Sequence, residues 1–103
     1  AYKLLSLPED GKARVNLKSL LTKLAEDDCN EVLFECGASL SASLIEAELV
    51  DEIIIYIAPK LLGASARSLV DLNIESMNQS FDLEFTDQRQ VGADVRMTLC
   101  RKR

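Results

Sequence analysis

Five consecutive apolar residues at positions 53–57, Ile-Ile-Ile-Tyr-Ile, constrain the fold of this chain more than any other feature. A strand of this composition presents apolar side chains on both faces, and such strands occur in sheets that are covered on both sides. Pro59 follows and ends the run, because proline cannot donate a backbone hydrogen bond. The run therefore predicts a strand in the middle of a covered sheet.

Amphipathic helices are predicted before this strand. Asn16 is the expected N-cap of the first, and Asp27 marks its exit. Its apolar side chains recur at helical spacing: Leu17, Leu20, Leu21, Leu24 and Ala25. The second helix is expected from Ser39 or Leu40 to Ala47, with Ser39 as its cap.

Further strands are predicted at residues 2–7 and 32–34, the latter buried. After a mostly irregular segment at 60–80, apolar residues alternate with polar ones at 81–86 and again at 95–99. A connection with one glycine joins these two strands, which indicates an antiparallel pair. The element order predicts an α/β fold with a mostly parallel sheet and a C-terminal antiparallel hairpin.

Composition excludes several classes of function. The 103 residues, of which 48% are hydrophobic and 28% charged, are typical of one globular domain. Histidine is absent, which excludes Ser-His-Asp and Cys-His catalysis and histidine ligation of a metal. The net charge is −5, whereas nucleic-acid binding needs clustered positive charge. We therefore expect no nucleic-acid partner.

The cysteines Cys29, Cys36 and Cys100 are odd in number and lack Cys-x-x-Cys spacing. This argues against a disulfide framework and against a zinc site, so no metal is expected. A reduced, cytoplasmic protein is the simplest interpretation. No apolar run approaches the roughly 20 residues that span a bilayer, and we expect no membrane partner. Because the chain starts at Ala1, we expect it to be part of something longer.

The stretch 32–44 holds the residues that point to chemistry. An apolar strand ends at Glu35, Gly37 follows, and a helix begins near Ser39. The free N–H groups of a helix N-terminus bind phosphate and other anions, and glycine allows a ligand to approach the backbone closely. Serine hydroxyls lie nearby at 39, 41 and 43. Tight packing and helix capping are the alternative explanation for the same residues.

Glu35 and Cys36 precede that glycine. Glu35 is expected at the carboxyl end of a strand, where open α/β sheets bind ligands, and its carboxylate can accept hydrogen bonds. A solvated glutamate at the end of a strand is the alternative. Cys36 is either a reactive thiol beside a helix N-terminus or a small packed residue.

Three segments together resemble a known family: ECGASL at 35–40, LVDE at 49–52 and IYIAPKLLG at 55–63. They are similar to the reductase domain of the bifunctional riboflavin-biosynthesis deaminase/reductase. The resemblance extends from about Val15 through the last strand, and it concerns only the C-terminal half of that domain. Residues 1–103 are therefore interpreted as the C-terminal portion of a pyrimidine reductase domain.

The resemblance implies a dihydrofolate-reductase-like three-layer sandwich, present here in part. It also implies NADPH-dependent reduction of the ribosyl group of 5-amino-6-(5-phosphoribosylamino)uracil to its ribityl form. Glu35 would contact this small-molecule substrate, and a homodimer through the reductase domain is implied. No residue is assigned as catalytic, because the cofactor supplies the hydride. The residues implied to bind NADPH are Gly37, Ala38, Ser39, Leu40, Ser41, Ala42 and Ser43.

The chain also departs from the family. At Cys36 and Ala38 the family commonly has other small residues, so these differences should leave the loop usable. At Glu48 the family commonly has the glycine that ends a helix. The N-terminal half of the reductase domain and the zinc deaminase domain have no counterpart here, so we expect the chain alone to have little or no reductase activity. Two alternatives remain open: another NADPH reductase of the same fold, and a non-catalytic packing or dimerisation module.

Overall fold

A computed structural model describes residues 6–9, 11 and 14–102. The chain forms two compact units, Ala1–Cys36 and Gly37–Arg103. Helices and strands both occur, which confirms the predicted α/β class. Most of the strand predicted at 2–7 lies outside the described residues.

The first unit contains one helix among its described residues, α1, which spans Leu17–Glu26. Asn16 is its N-cap as predicted, because the side-chain Oδ1 accepts a hydrogen bond from the amide of Ser19 at 3.0 Å. The helix ends at Asp27, and Asp28 takes a left-handed conformation with φ of 65°. The periodic pattern of leucines thus placed this helix correctly.

The short buried strand predicted at residues 32–34 is wrong. The structure gives these residues no regular secondary structure, and the side chain of Leu33 is 77% exposed. A strand exists only where a second strand supplies the matching N–H and C=O groups. Three apolar residues specify an extended backbone at most, and they do not specify a partner.

The second unit begins with helix α2, Ala38–Glu46. Gly37, rather than the predicted Ser39, is its N-cap. The helix starts earlier than expected because the carbonyl of Gly37 already accepts a hydrogen bond from the amide of Ser41 at 3.1 Å. Ser39 therefore lies inside the first turn, where it does not cap the helix.

Three strands follow α2: β1 at Glu52–Ile57, β2 at Leu83–Val91 and β3 at Asp94–Arg101. They form one sheet in the order β1-β3-β2, and both pairings are antiparallel. The C-terminal hairpin is confirmed. The mostly parallel sheet is not seen, since the described strands pair only in antiparallel fashion. A short 3-10 turn, Met77–Gln79, interrupts the otherwise irregular segment between β1 and β2.

β1 lies at an edge of this sheet, whereas its apolar sequence predicted a covered central strand. Ile54 and Tyr56 are 48% and 59% exposed on one face of it. The central strand is β3, and the buried apolar residues are Leu99 of β3 and Ala42 and Leu44 of α2. The sequence makes both faces of a strand apolar, but neighbouring elements decide whether each face is covered.

Candidate functional site

The first turn of α2 is open to solvent at its N-terminal end. Gly37 is exposed and has φ of −81° and ψ of −178°, an extended conformation that any residue adopts. A Cβ built on Gly37 would meet no other atom within 4 Å. Neither the backbone conformation nor internal packing therefore requires glycine here, and the position that a Cβ would take is free.

This turn presents unused hydrogen-bond donors. The first backbone N–H groups of a helix have no partner within the helix, and Gly37 has no side chain to cap them. No hydrogen bond between described residues involves the amides of Ala38, Ser39 or Leu40. Three adjacent donors at the positive end of a helix dipole have the chemistry to bind a phosphate or carboxylate.

The seven residues predicted to bind a dinucleotide divide into two groups. Gly37 and the next three residues supply the open end and its free amides. Ser41 already donates its amide to Gly37, and the side chain of Ala42 is only 5% exposed. The hydroxyl of Ser43 donates to the carbonyl of Ser39 at 3.2 Å, so it is engaged within the helix. The donors available to an anion thus come from the first group.

Glu35 and Cys36 belong to the first unit. Both are exposed, and neither lies in a helix or strand, so Glu35 is not at the end of a described strand. Cys36 forms no disulfide, as is also true of Cys29 and Cys100. Contact between Glu35 and a substrate stays a prediction.

One residue near the first turn of α2 was not predicted. The backbone N–H of Asp71 donates to the carbonyl oxygen of Ala38 at 3.1 Å. Val70 and Leu72 on either side are half-buried, whereas Asp71 itself is exposed. This alternation of apolar and polar residues was the only local signal of an anchored segment, and it is too short to stand out within an irregular stretch of chain.

A separate charged cluster lies on the hairpin. The Oδ2 atom of Asp87 is 2.9 Å from Nε of Arg89 and 3.4 Å from Nη2 of Arg96. The hydrogen bond from Arg89 is the main cause that holds the pKa of Asp87 below its ordinary value of 3.8. The same bond raises the pKa of Arg89. Asp87 on β2 thus pairs with two arginines, Arg89 on the same strand and Arg96 on β3.

Within residues 6–9, 11 and 14–102, no group of three His, Cys, Asp or Glu side chains is arranged to hold a metal ion. Across that same part of the chain, no helix has both the length and the apolar character needed to cross a membrane.

Comparison with protein families identifies the RibD C-terminal domain, which matches residues 2–97. The riboflavin biosynthesis protein RibD of Haemophilus influenzae is 45% identical over 83 residues, which are 80% of this chain and 22% of that protein. The 5-amino-6-(5-phosphoribosylamino)uracil reductase of Buchnera aphidicola is 35% identical over 98 residues, 94% of this chain and 47% of that protein. The chain thus spans less than half the length of these relatives.

Solved structures give the same relationship. RibD of Acinetobacter baumannii superposes with a TM-score of 0.82 and 38% sequence identity. The match covers 84% of this chain and 25% of that protein. A second form of the same protein matches with a TM-score of 0.81. At this identity, the likeness concerns both sequence and fold.

Proposed function

Because this chain belongs to the RibD C-terminal domain family, we propose that it is part of an NADPH-dependent reductase of riboflavin biosynthesis. The proposed substrate is 5-amino-6-(5-phosphoribosylamino)uracil, the compound for which the Buchnera relative is named. Its ribosyl group is reduced to ribityl. The rest of the reductase domain, with the proposed dihydrofolate-reductase-like three-layer arrangement, would come from chain outside these residues.

The observation that carries the proposal is the open first turn of α2. The free amides of Ala38, Ser39 and Leu40 hold a phosphate of the dinucleotide, and Gly37 leaves room for it. Ser41, Ala42 and Ser43 complete the proposed binding segment as the next turn of the helix. NADPH, when bound, supplies the hydride. The chain's own part is to bind and orient.

Glu35 is proposed to accept a hydrogen bond from the substrate. Its exposure supports this role, because the carboxylate is accessible. A reducing cytoplasmic compartment suits the proposal, since Cys29, Cys36 and Cys100 are all unbridged. A Glu35→Gln variant of the full-length protein is expected to raise KM for the pyrimidine and to leave KM for NADPH unchanged. Unchanged kinetics for both substrates would remove Glu35 from the site.

The proposed assembly is a homodimer. No described strand pairs with the outer edge of β1, and free strand edges support association with another chain. Sedimentation equilibrium of the full-length protein measures the assembly directly. A monomer at micromolar concentration would contradict this part of the proposal.

The anion site is tested with substitutions at Gly37. An aspartate there is a favourable N-cap, so Gly37→Asp is expected to stabilise α2 by up to about 1 kcal/mol. The aspartate carboxylate would accept hydrogen bonds from the free amides and repel phosphate. The Kd for NADPH is therefore expected to rise more than tenfold. Stability and affinity thus change in opposite directions, which a merely packed glycine would not produce.

Gly37→Asn is the matched control, because it caps the helix without adding a charge. We expect it to weaken NADPH binding less than Gly37→Asp does. Fluorescence titration measures the Kd, and urea denaturation measures stability. Equal NADPH affinity in the original protein and both variants would favour the alternative of a packing module. Turnover with a different pyrimidine, but not with the proposed substrate, would favour another reductase of the same fold.

The isolated 103-residue chain is expected to oxidise little or no NADPH in the presence of substrate. The chain spans only 22% and 47% of the two relatives described above, and the remaining contacts to both ligands would lie outside it. Absorbance at the NADPH band provides the measurement. Rapid oxidation by this chain alone would contradict the expectation.

A further inference from the structure

The first turn of α2 lacks the usual local support. Its N-cap residue, Gly37, has no side chain that accepts a hydrogen bond from the turn. Uncapped helix ends fray, because their first backbone groups have no partner. A binding site built from those same groups needs another source of order.

The segment 70–72 supplies a contact to this turn from outside the helix, in addition to the hydrogen bonds within the helix. The amide of Asp71 donates to the carbonyl of Ala38, the first residue of α2, at 3.1 Å. In the described part of the chain, it is the one backbone hydrogen bond that reaches α2 from outside residues 37–49. Val70 and Leu72 are half-buried on either side of it, whereas Asp71 is exposed.

The carbonyl of Ala38 and the N–H of Ser39 belong to one peptide group. A peptide group is planar, so a hydrogen bond that fixes the carbonyl also fixes the direction of the N–H. The N–H of Ser39 is one of the three free donors at the N-terminus of α2. A hydrogen bond to the carbonyl also polarises the group, which makes its N–H a stronger donor.

We propose that Asp71 is a positioning residue for the dinucleotide site, acting through its backbone N–H on the peptide group between Ala38 and Ser39. This inference rests on the proposed function, because it takes the ligand of that turn to be NADPH. The side chain of Asp71 has no part in it. The backbone N–H of Asp71 and its carboxylate therefore have different roles.

Two substitutions separate the amide from the carboxylate in the full-length protein. Asp71→Pro removes the N–H, whereas Asp71→Ala keeps the N–H and removes only the carboxylate. We expect Asp71→Pro to raise the Kd and KM for NADPH about two- to tenfold, the usual worth of one hydrogen bond, with kcat unchanged at saturating NADPH. Asp71→Ala is expected to leave all three values unchanged.

An unchanged Kd in Asp71→Pro, or an equal rise in Asp71→Ala, would overturn the positioning role while the proposed function stands. No binding of NADPH to the unaltered protein would instead overturn the proposed function, and this inference with it. Far-UV circular dichroism shows whether the proline variant is folded.

Hydrogen exchange of the unaltered protein tests whether the Asp71 amide is coupled to NADPH binding, even if the proline variant does not fold. Coupling between two sites is reciprocal, so saturating NADPH should slow exchange of the Asp71 amide by the same factor, about two- to tenfold. The amide of Leu49 is the control, because it bonds to Leu44 at the other end of α2. Identical exchange of the Asp71 amide with and without NADPH would overturn the proposal.

Discussion

Nη1 of Arg101 lies 2.9 Å from Oε1 of Glu48 in an ion pair, and Glu48 has a left-handed backbone with φ of 59°. The amide of Glu48 donates to the carbonyl of Ile45, and the amide of Leu49 donates to that of Leu44, both at 3.0 Å. This is the hydrogen-bond pattern of a Schellman C-cap. The helix therefore ends here as it would with glycine, although glutamate pays a steric cost.

The first prediction concerns that cost. Glu48→Gly is expected to raise the free energy of unfolding by about 0.5–1 kcal/mol, because glycine adopts a positive φ without a steric penalty. Loss of the ion pair to Arg101 offsets little of this gain, since both side chains are about half exposed. Urea denaturation provides the measurement. Glu48→Gln keeps the strained backbone and should change stability by about 0.5 kcal/mol or less. If Glu48→Gly were less stable than the unaltered protein, the left-handed backbone of Glu48 would not be a source of strain.

The second prediction concerns the core. Leu44 is 2% exposed, and Leu44→Ala is expected to lower the free energy of unfolding by about 2–5 kcal/mol through lost burial and a residual cavity. Leu61 is fully exposed, so Leu61→Ala serves as the control and should change stability by about 0.5 kcal/mol or less. Thermal unfolding of the two variants side by side provides the comparison. Equal losses would mean that Leu44 is not part of the core.

The third prediction concerns the hairpin turn. Val91 pairs with Asp94, and Gly92 between them has φ of 62°. Gly92→Ala is expected to cost about 1 kcal/mol, because an L-residue with a Cβ is strained in this region. Gly63 has neither a positive φ nor a neighbour within 4 Å of a built Cβ, so Gly63→Ala should be neutral or slightly stabilising. A tolerated Gly92→Ala would show that the turn adopts another conformation.

The fourth prediction concerns pH. The hydrogen bond from Arg89 lowers the pKa of Asp87 in the folded protein, so this pair stabilises the fold above about pH 3.8. That contribution is lost as the pH falls below 3.8 and through the lowered pKa of the folded state, because the unfolded chain then binds the proton first. In Arg89→Ala, the pKa of Asp87 should rise toward 3.8. Carboxyl NMR titration measures it.

Lys60→Ala is the control for this titration, since Lys60 lies outside the Asp87 cluster and is exposed. Removal of the Lys60 side chain should leave the pKa of Asp87 unchanged. If Arg89→Ala also leaves that titration unmoved, the hydrogen bond at 2.9 Å is not the cause of the lowered pKa.

Local features of the fold could be predicted because they depend on neighbours in sequence. The leucine spacing placed α1, and Asn16 could be identified as its cap from residue type alone. The alternating residues around Gly92 placed β2 and β3 as a hairpin. The prediction of a strand at 32–34 was wrong because a strand depends on a partner that is distant in sequence. No described strand pairs with these residues.

The candidate site was predictable in part. A helix start just after Gly37 was predicted to within two residues. Ser39 was expected to cap it, whereas the structure makes Gly37 the N-cap, which offers no side chain to the first amides. The engaged hydroxyl of Ser43 and the buried side chain of Ala42 could not be foreseen, because both depend on the face that α2 turns inward.

The amino-acid sequence alone determined where the two helices lie, that β2 and β3 form a hairpin, and that a glycine stands just before α2. These follow from periodicity and turn chemistry, which act over a few residues. Only the tertiary structure decided that β1 pairs antiparallel with β3 at an edge, and that the Asp71 amide meets the Ala38 carbonyl. Every backbone amide is chemically the same donor, so its partner is chosen by how distant segments pack.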